Sequence, residues 1–165
     1  MVGRKKKTKG SAPYIGRVFI LNDNVSREAT EALGGENSVI HTAETLGFSS
    51  DVDDETMVAK FSSVAAQAEA TAIVVTADRG KGDRVMPETM KKYPGILYLI
   101  NSVKGKDDQI KASLKLKTIS GFKNLATYPK QYKKLHLQKS GSTLRVDYTT
   151  RKNKRKTEDR KGLFG

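Results

Sequence analysis

The sequence predicts an α/β fold with a mostly parallel central sheet, and three observations support this. Short apolar runs rich in β-branched residues alternate with stretches whose apolar residues recur at the helical period. Glycine- and asparagine-rich turn signals separate these runs from one another. The last two runs alternate apolar and polar residues on either side of Ser140-Gly141-Ser142, which is typical of a β-hairpin. Alternating strands and helices with short loops imply parallel strands.

The elements follow in order along the chain. Strands are predicted at residues 18–21, 39–42, 71–76 and 96–100, and hairpin strands at 133–137 and 143–149. Ser26 can cap a first helix that ends at Leu33 before two glycines, and Asp53 or Asp54 can cap a second helix over 55–70. A short helix at 87–92 and a longer one at 107–125, weakened at its far end by Gly121, complete the prediction.

Composition indicates one domain with basic ends. From their composition we predict that residues 1–13 and 151–165 are disordered basic arms and that residues 14–150 form the folded domain. With no cysteine and two histidines, disulfides, thiolate sites and a histidine-rich zinc site are disfavoured. No apolar run approaches the roughly 20 residues of a membrane helix, and the basic start has no hydrophobic signal core. We therefore expect a cytoplasmic protein without a membrane partner.

The net charge of +13 is unevenly distributed. Residues 11–103 carry eight basic and thirteen acidic side chains, whereas residues 104–150 carry eleven basic and three acidic ones. Both terminal segments are basic as well. An acidic region that can hold cations beside a basic region that can hold phosphates is what a nuclease needs.

Acidic residues recur where strands end or helices begin. Asp23 follows the first strand, Asp54 opens the second helix and Asp78 follows the third strand. The carboxyl ends of parallel strands share one crevice, and clustered carboxylates suit Mg²⁺ or Mn²⁺. We predict that Asp23, Asp54 and Asp78 bind such an ion, with Asp83 or Glu55 completing its shell. Helix capping by Asp54 and a turn-forming role for Asp23 stay open as alternatives.

Five short sequence motifs, in this order along the chain, resemble those of the PIN-like superfamily of ribonucleases. The resemblance is strongest to the small PIN-like proteins of toxin–antitoxin type. The motifs are Leu21-Asn22-Asp23-Asn24, Gly47-Phe48 through Asp54-Glu55, Thr76-Ala77-Asp78, Pro94-Gly95 and Leu144-Arg145-Val146. The resemblance covers roughly residues 16–150. It implies a three-layer PIN-like fold, a Mg²⁺- or Mn²⁺-dependent endoribonuclease with Asp23, Asp54, Asp78 and Asp83 in catalysis, and a protein antitoxin as partner. Asn22 and Gly80 stand where the family pattern has aspartates, which puts a complete site in question.

RNA contacts are predicted from cations near the site and in the second half. Arg79 and Lys81 flank Asp78, and Lys111, Lys115, Lys133 and Lys134 lie in the last helix and the hairpin. Ser49 and Thr76 are candidates for orienting a ligand. Tyr128 and Tyr132 could stack on bases or pack at the edge of the core.

Three alternatives to the ribonuclease stay open. A PIN-like domain with a degenerate site would bind RNA without cleaving it, which Asn22 and Gly80 favour. A subunit of a larger ribonucleoprotein or phage assembly would use the basic arms to thread RNA. A flavodoxin-like ligand-binding domain is disfavoured, because no glycine-rich phosphate loop follows the first strand. A homodimer is compatible with each.

Overall fold

A computed structural model describes residues 17–77, 89 and 91–165. Among them, seven strands form one sheet: β1 (Val18–Asp23), β2 (Ser38–His41), β3 (Thr71–Thr76), β4 (Leu97–Asn101), β5 (Tyr132–Ser140), β6 (Thr143–Thr150) and β7 (Arg155–Arg160). The helices bounded within these residues are α1 (Arg27–Gly34), α2 (Asp54–Gln67), α3 (Lys106–Leu116) and α4 (Tyr128–Gln131), the last preceded by a 3-10 turn at Leu125–Thr127. In this described part of the chain, no helix is long and apolar enough to cross a membrane.

The sheet has the order β2-β1-β3-β4-β5-β6-β7. The first five strands in this order are parallel, and β6 and β7 are antiparallel to their neighbours. The predictions of a mostly parallel sheet and of a C-terminal hairpin are therefore confirmed. The order of the parallel strands is also that of doubly wound flavodoxin-like sheets.

Helices cover both faces of the parallel strands. Alternate residues of β1 point to opposite faces, so Ile20 packs with α1 and α3 while Leu21 packs with α2. Ser26 caps α1 as predicted, accepting a hydrogen bond from the Ala29 amide. These two cores give the three-layer arrangement expected from the sequence.

The connection from β4 to β5 has an unusual hand. It crosses the sheet in the same direction as the connection from β2 to β3. However, it packs α3 on the face of α1, whereas the earlier connection packs α2 on the opposite face. The two crossovers are therefore of opposite hand, although nearly all such crossovers are right-handed. As a result, α1 and α3 share one side of the sheet, and α2 lies on the other.

The C-terminal segment departs from the prediction. Residues 155–160, assigned to a basic tail, form β7 and pair with β6 along its length. Beyond it, Leu163 and Phe164 pack against the core on the α1 side. A strand made almost entirely of charged residues can sit at a sheet edge because most of its side chains face water there.

One predicted helix is shorter in the structure than expected, and another lies partly outside the described residues. The long helix predicted to residue 125 ends at Leu116, after which a turn and the 3-10 segment lead to α4. Half of the predicted helix at 87–92 lies outside the described residues, and its described residues 89, 91 and 92 are helical. The proposed N-terminal arm, residues 1–13, is outside them entirely.

Candidate active site

Asp23 is held at the carboxyl end of β1, beside the end of β3. The two strands pair with Asp23 opposite Thr76, and the Ala77 amide donates to the Asp23 carbonyl at 3.3 Å. The chain leaves β1 and β3 toward opposite edges of the sheet. A crevice opens at the carboxyl ends of strands where connections diverge in this way, and ligands bind there in open α/β sheets.

The Thr76 hydroxyl orients the Asp23 carboxylate. Thr76 is fully buried, and its Oγ1 donates to Asp23 Oδ2 at 3.2 Å. The sequence makes Thr76 a candidate for orienting a ligand; in the structure its hydroxyl contacts a carboxylate that is itself a candidate to bind one.

Asp54 is presented to the crevice by the first turn of α2. Asp53 is the N-cap, because its Oδ1 accepts a hydrogen bond of 2.7 Å from the Thr56 amide. That amide holds the pKa of the Asp53 carboxyl below its ordinary value. Since Asp53 supplies the cap, Asp54 is the first residue of the helix, and the capping alternative for Asp54 is wrong.

Asp23 and Asp54 line the same cavity, which has a volume of about 350 Å³. Glu44, in the loop after β2, lines it as well. Glu44 is not predicted from the sequence, because its place in the loop after β2 does not by itself distinguish it from other loop acids. The cavity therefore gathers acidic side chains that follow β1, follow β2 and begin α2.

Asn22 lines this cavity and has one buried oxygen without a partner among the described residues. Its Nδ2 donates to the Val25 carbonyl at 2.9 Å, while its Oδ1 is buried without a hydrogen-bond partner among the described residues. Because this oxygen is buried, it is not exposed to the cavity that the residue lines. A neutral carbonyl oxygen is a ligand type that hard cations accept.

Other predicted site residues lie elsewhere. Glu55 is not among the residues that line the cavity, and it forms an exposed ion pair of 2.9 Å with Lys92. Ser49 donates to Asp51. Four predicted residues lie outside the described part of the chain, namely Asp78, Arg79, Lys81 and Asp83. Within that described part, no three histidine, aspartate or glutamate side chains form a metal-binding group.

The predicted basic surface divides into two. Lys111 and Lys115 belong to α3, which packs on the α1 side of the sheet. Lys134 precedes Leu135, whose side chain is in the core on that side, so Lys134 projects from the opposite face. Lys133, at an irregularity in the β5–β6 pairing, donates to the Asn153 side chain. These lysines therefore do not form one surface, because the unusual crossover separates α3 from the face that carries Lys134.

The two tyrosines are core residues. Tyr132 stacks on Phe122 with centroids 4.7 Å apart, and Tyr128 packs edge-on against the same ring. Their hydroxyls donate to the backbone carbonyls of Gly121 and Phe122. Both side chains are buried, and burial raises their pKa values. Base stacking is therefore wrong for both, and the packing alternative is confirmed.

Comparisons of the chain with protein-family models, with curated proteins and with solved structures found no match.

Proposed function

We propose that the chain is a metal-dependent ribonuclease whose active site is the cavity at the carboxyl ends of β1 and β2, where α2 begins. The observation that carries the proposal is that Asp23 and Asp54, distant in sequence, line one cavity. Two carboxylates in one cavity repel each other unless a cation neutralises them. Oxygen-only donors favour Mg²⁺ or Mn²⁺ over softer metals.

The side-chain oxygens in this cavity are of the type that Mg²⁺ and Mn²⁺ bind. Asp23 and Asp54 would hold such an ion together with Asp78, which comes two residues after Thr76 in the sequence. Asn22 lines the same cavity and carries a neutral carbonyl oxygen, which is buried in this structure. A divalent cation bound there would lower the pKa of a water molecule and stabilise charge on a phosphate.

The protein's own contribution is positioning and charge. Thr76 fixes the Asp23 carboxylate, so the carboxylate does not have to be ordered when substrate arrives. Asp53 fixes the start of α2 and thereby the backbone of Asp54. The basic second half of the chain supplies attraction for the phosphates of RNA.

Membership of the PIN-like superfamily, and use as the toxin of a toxin–antitoxin pair, are part of this proposal. Both parts of the proposal rest on the five short sequence motifs and on their order along the chain. A protein antitoxin would then be expected to cover the acidic cavity or to insert a cationic side chain into it.

Cleavage of RNA by paired variants tests the proposal. The full chain is incubated with a single-stranded RNA in Mn²⁺, in Mg²⁺ and in chelator. We expect cleavage only with metal, and a loss of about 100-fold or more for Asp23→Asn and for Asp54→Asn. Glu55→Gln is the matched control, because it removes the same charge one residue away in an exposed ion pair.

Metal-independent cleavage, or equal activity of the Asp54→Asn and Glu55→Gln variants, would contradict the proposal. Thermal unfolding of each variant shows whether a loss of activity reflects a loss of fold.

A second candidate is an RNA-binding protein without catalysis. It is favoured by Asn22, which uses its amide to tie the β1–α1 turn, and by the absence of a three-residue metal-binding group in the described part of the chain. Unchanged RNA binding in chelator, with no cleavage in Mn²⁺, would decide for this candidate.

A further inference from the structure

The α2-side face of β5, β6 and β7 is open and polar. Because α3 lies on the other side, none of the nine side chains on this face is buried. They form three cross-strand rows, Lys134–Thr149–Arg155, His136–Asp147–Thr157 and Gln138–Arg145–Asp159. We name these nine residues the open face.

The acidic residues of the open face are already paired. Asp147 accepts hydrogen bonds from Gln138 and, at 2.6 Å, from the Thr157 hydroxyl. Asp159 pairs with Arg145 at 3.2 Å. The charge of Asp159 is thus offset by Arg145, whereas Asp147 is hydrogen-bonded to neutral partners, keeps its negative charge and lines the cavity on this face.

The first row, in contrast, is cationic and unpaired. Lys134 and Arg155 are both exposed, and neither forms an ion pair with any residue that the structure describes. They stand two strands apart, which is about 10 Å. Both line a cavity of about 360 Å³ on this face. Three further exposed cations follow in the adjoining turn and edge strand, Lys152, Lys154 and Lys156.

Several lysines in and next to α3, unlike Lys134 and Arg155, contact acidic side chains or backbone carbonyls of the protein itself. Lys106 lies 3.7 Å from Glu28, Lys111 lies 4.0 Å from Asp108, and Lys117, which follows the helix, donates to the Ala32 carbonyl at 2.9 Å. These contacts use part of the positive charge of this region within the protein. On α3, Lys111 is paired and Lys115 is half-buried, whereas the two cations in the first row of the open face are exposed and have no ion pair among the described residues.

The open face carries no phenylalanine, tyrosine or tryptophan on which bases could stack. Tyr148, which lies beside the cavity, packs edge-on against Phe122 in the core, with centroids 5.1 Å apart. The His136 ring is half-buried, with Nε2 held 2.9 Å from the Ser102 hydroxyl. Contacts on this face are therefore with phosphates, and such contacts do not depend on base sequence.

We propose that the open face binds the phosphodiester backbone of the RNA substrate through Lys134 and Arg155, an inference that rests on the proposed ribonuclease function. The α3 lysines do not take part in this contact.

The test measures binding of the full-length protein to a fluorescent single-stranded RNA in chelator, across a salt series. Each phosphate contact contributes about 0.7 to the slope of log affinity against log salt for a single strand. The Lys134→Gln/Arg155→Gln double variant should therefore lower the slope by about 1.4 and weaken binding about 25-fold at 0.1 M salt. The matched control is Lys111→Gln/Lys115→Gln, for which less than about a 3-fold loss is expected.

Losses of equal size in the two double variants, or no binding by the unaltered protein, would overturn the inference. A single-stranded DNA of the same sequence should show the same loss as RNA, since phosphates are common to both. A loss confined to RNA would contradict a phosphate contact. If the open-face effect is present but no RNA is cleaved in Mn²⁺, the ribonuclease proposal fails and the binding surface stands.

Discussion

The parallel and antiparallel halves of the sheet are covered differently, and this difference determines what each can bind. Strands β1 to β4 carry helical or loop layers on both faces, so their accessible surface is the crevice at the carboxyl ends. Strands β5 to β7 are covered on one face only, so their second face is open across three strands. A crevice can enclose an ion and the reacting group, whereas an open face can only guide a chain of phosphates. Substitutions confined to one half should therefore change different properties of the protein.

Substitutions in the crevice should lower the rate of RNA cleavage more than they change RNA binding or stability. Thr76→Val removes the hydroxyl that donates to Asp23 Oδ2 while keeping the shape of the side chain. We expect RNA cleavage in Mn²⁺ to fall about 10-fold, since Asp23 is kept but no longer held. Binding in chelator should stay unchanged. Equal losses in binding and cleavage would show that Thr76 supports the fold and does not position Asp23.

Stability should depend on the covered face, which the two leucines of α3 test directly. Leu116 is fully buried in the α1-side core, whereas Leu114 is 51% exposed on the same helix. Leu116→Ala should lower the free energy of unfolding by about 2–5 kcal/mol through loss of burial and a cavity. Leu114→Ala should change it by less than about 0.5 kcal/mol. Chemical denaturation measures both, and similar values would argue against the assigned packing of α3.

The edge strand should contribute to stability even though its sequence resembles a tail. Removal of residues 155–165 deletes β7 and the partly buried Leu163 and Phe164. We expect a loss of about 2–4 kcal/mol, chiefly from the two apolar side chains. Phe164→Ala alone should reproduce part of the loss. An unchanged unfolding temperature after truncation would show that this segment behaves as a tail.

The side chain of Gln109 joins α3 to the loops that follow β1 and β4. Its Oε1 accepts from the Ser26 amide at 3.1 Å, and its Nε2 donates to the Val103 carbonyl at 2.9 Å. Gln109→Leu would leave both partly buried backbone groups unpaired, at a cost of about 1–3 kcal/mol. Gln109→Glu keeps the acceptor and should lose less. If denaturation finds both substitutions neutral, water replaces these bonds.

Alkaline pH should weaken the antiparallel half first, through its buried tyrosines. Burial raises the pKa of Tyr128 above its ordinary value of 10.0, and also raises those of Tyr132 and Tyr148. The folded chain holds these protons more tightly than the unfolded chain. The contribution of these groups to stability is therefore constant below about pH 10 and falls as pH rises above it. Tyrosinate absorbance during unfolding measures this, and Tyr132→Phe should reduce the dependence.

Much of the parallel half could be predicted from sequence because its signals are local. The strand predicted at residues 71–76 has its observed bounds, since a run of β-branched and apolar residues ended by turn signals is typical of a buried strand. Asp23 could be placed at the sheet edge for the same reason. Glu44 could not be distinguished from ordinary loop acids without knowing that its loop reaches the crevice.

In the antiparallel half, the β5–β6 hairpin is predicted, but β7 and the side of the sheet taken by α3 could not be, because their determinants are distant in sequence. The sequence Arg155-Lys156-Thr157-Glu158-Asp159-Arg160 has no apolar alternation, and β6 alone supplies its pairing partner. The side of the sheet taken by α3 depends on a crossover of unusual hand, which no local pattern encodes. The division of the lysines between two faces follows from that choice.

The charged strand at the end of the sheet has a consequence for how the protein behaves at high concentration. An outer strand exposes backbone donors and acceptors that could recruit a neighbouring molecule and begin fibril growth. If two copies of β7 paired in parallel and in register, Arg155, Lys156 and Arg160 would each be brought against their own copies. The repulsion between these like charges opposes that pairing, so the side chains of β7 disfavour one route to fibril growth.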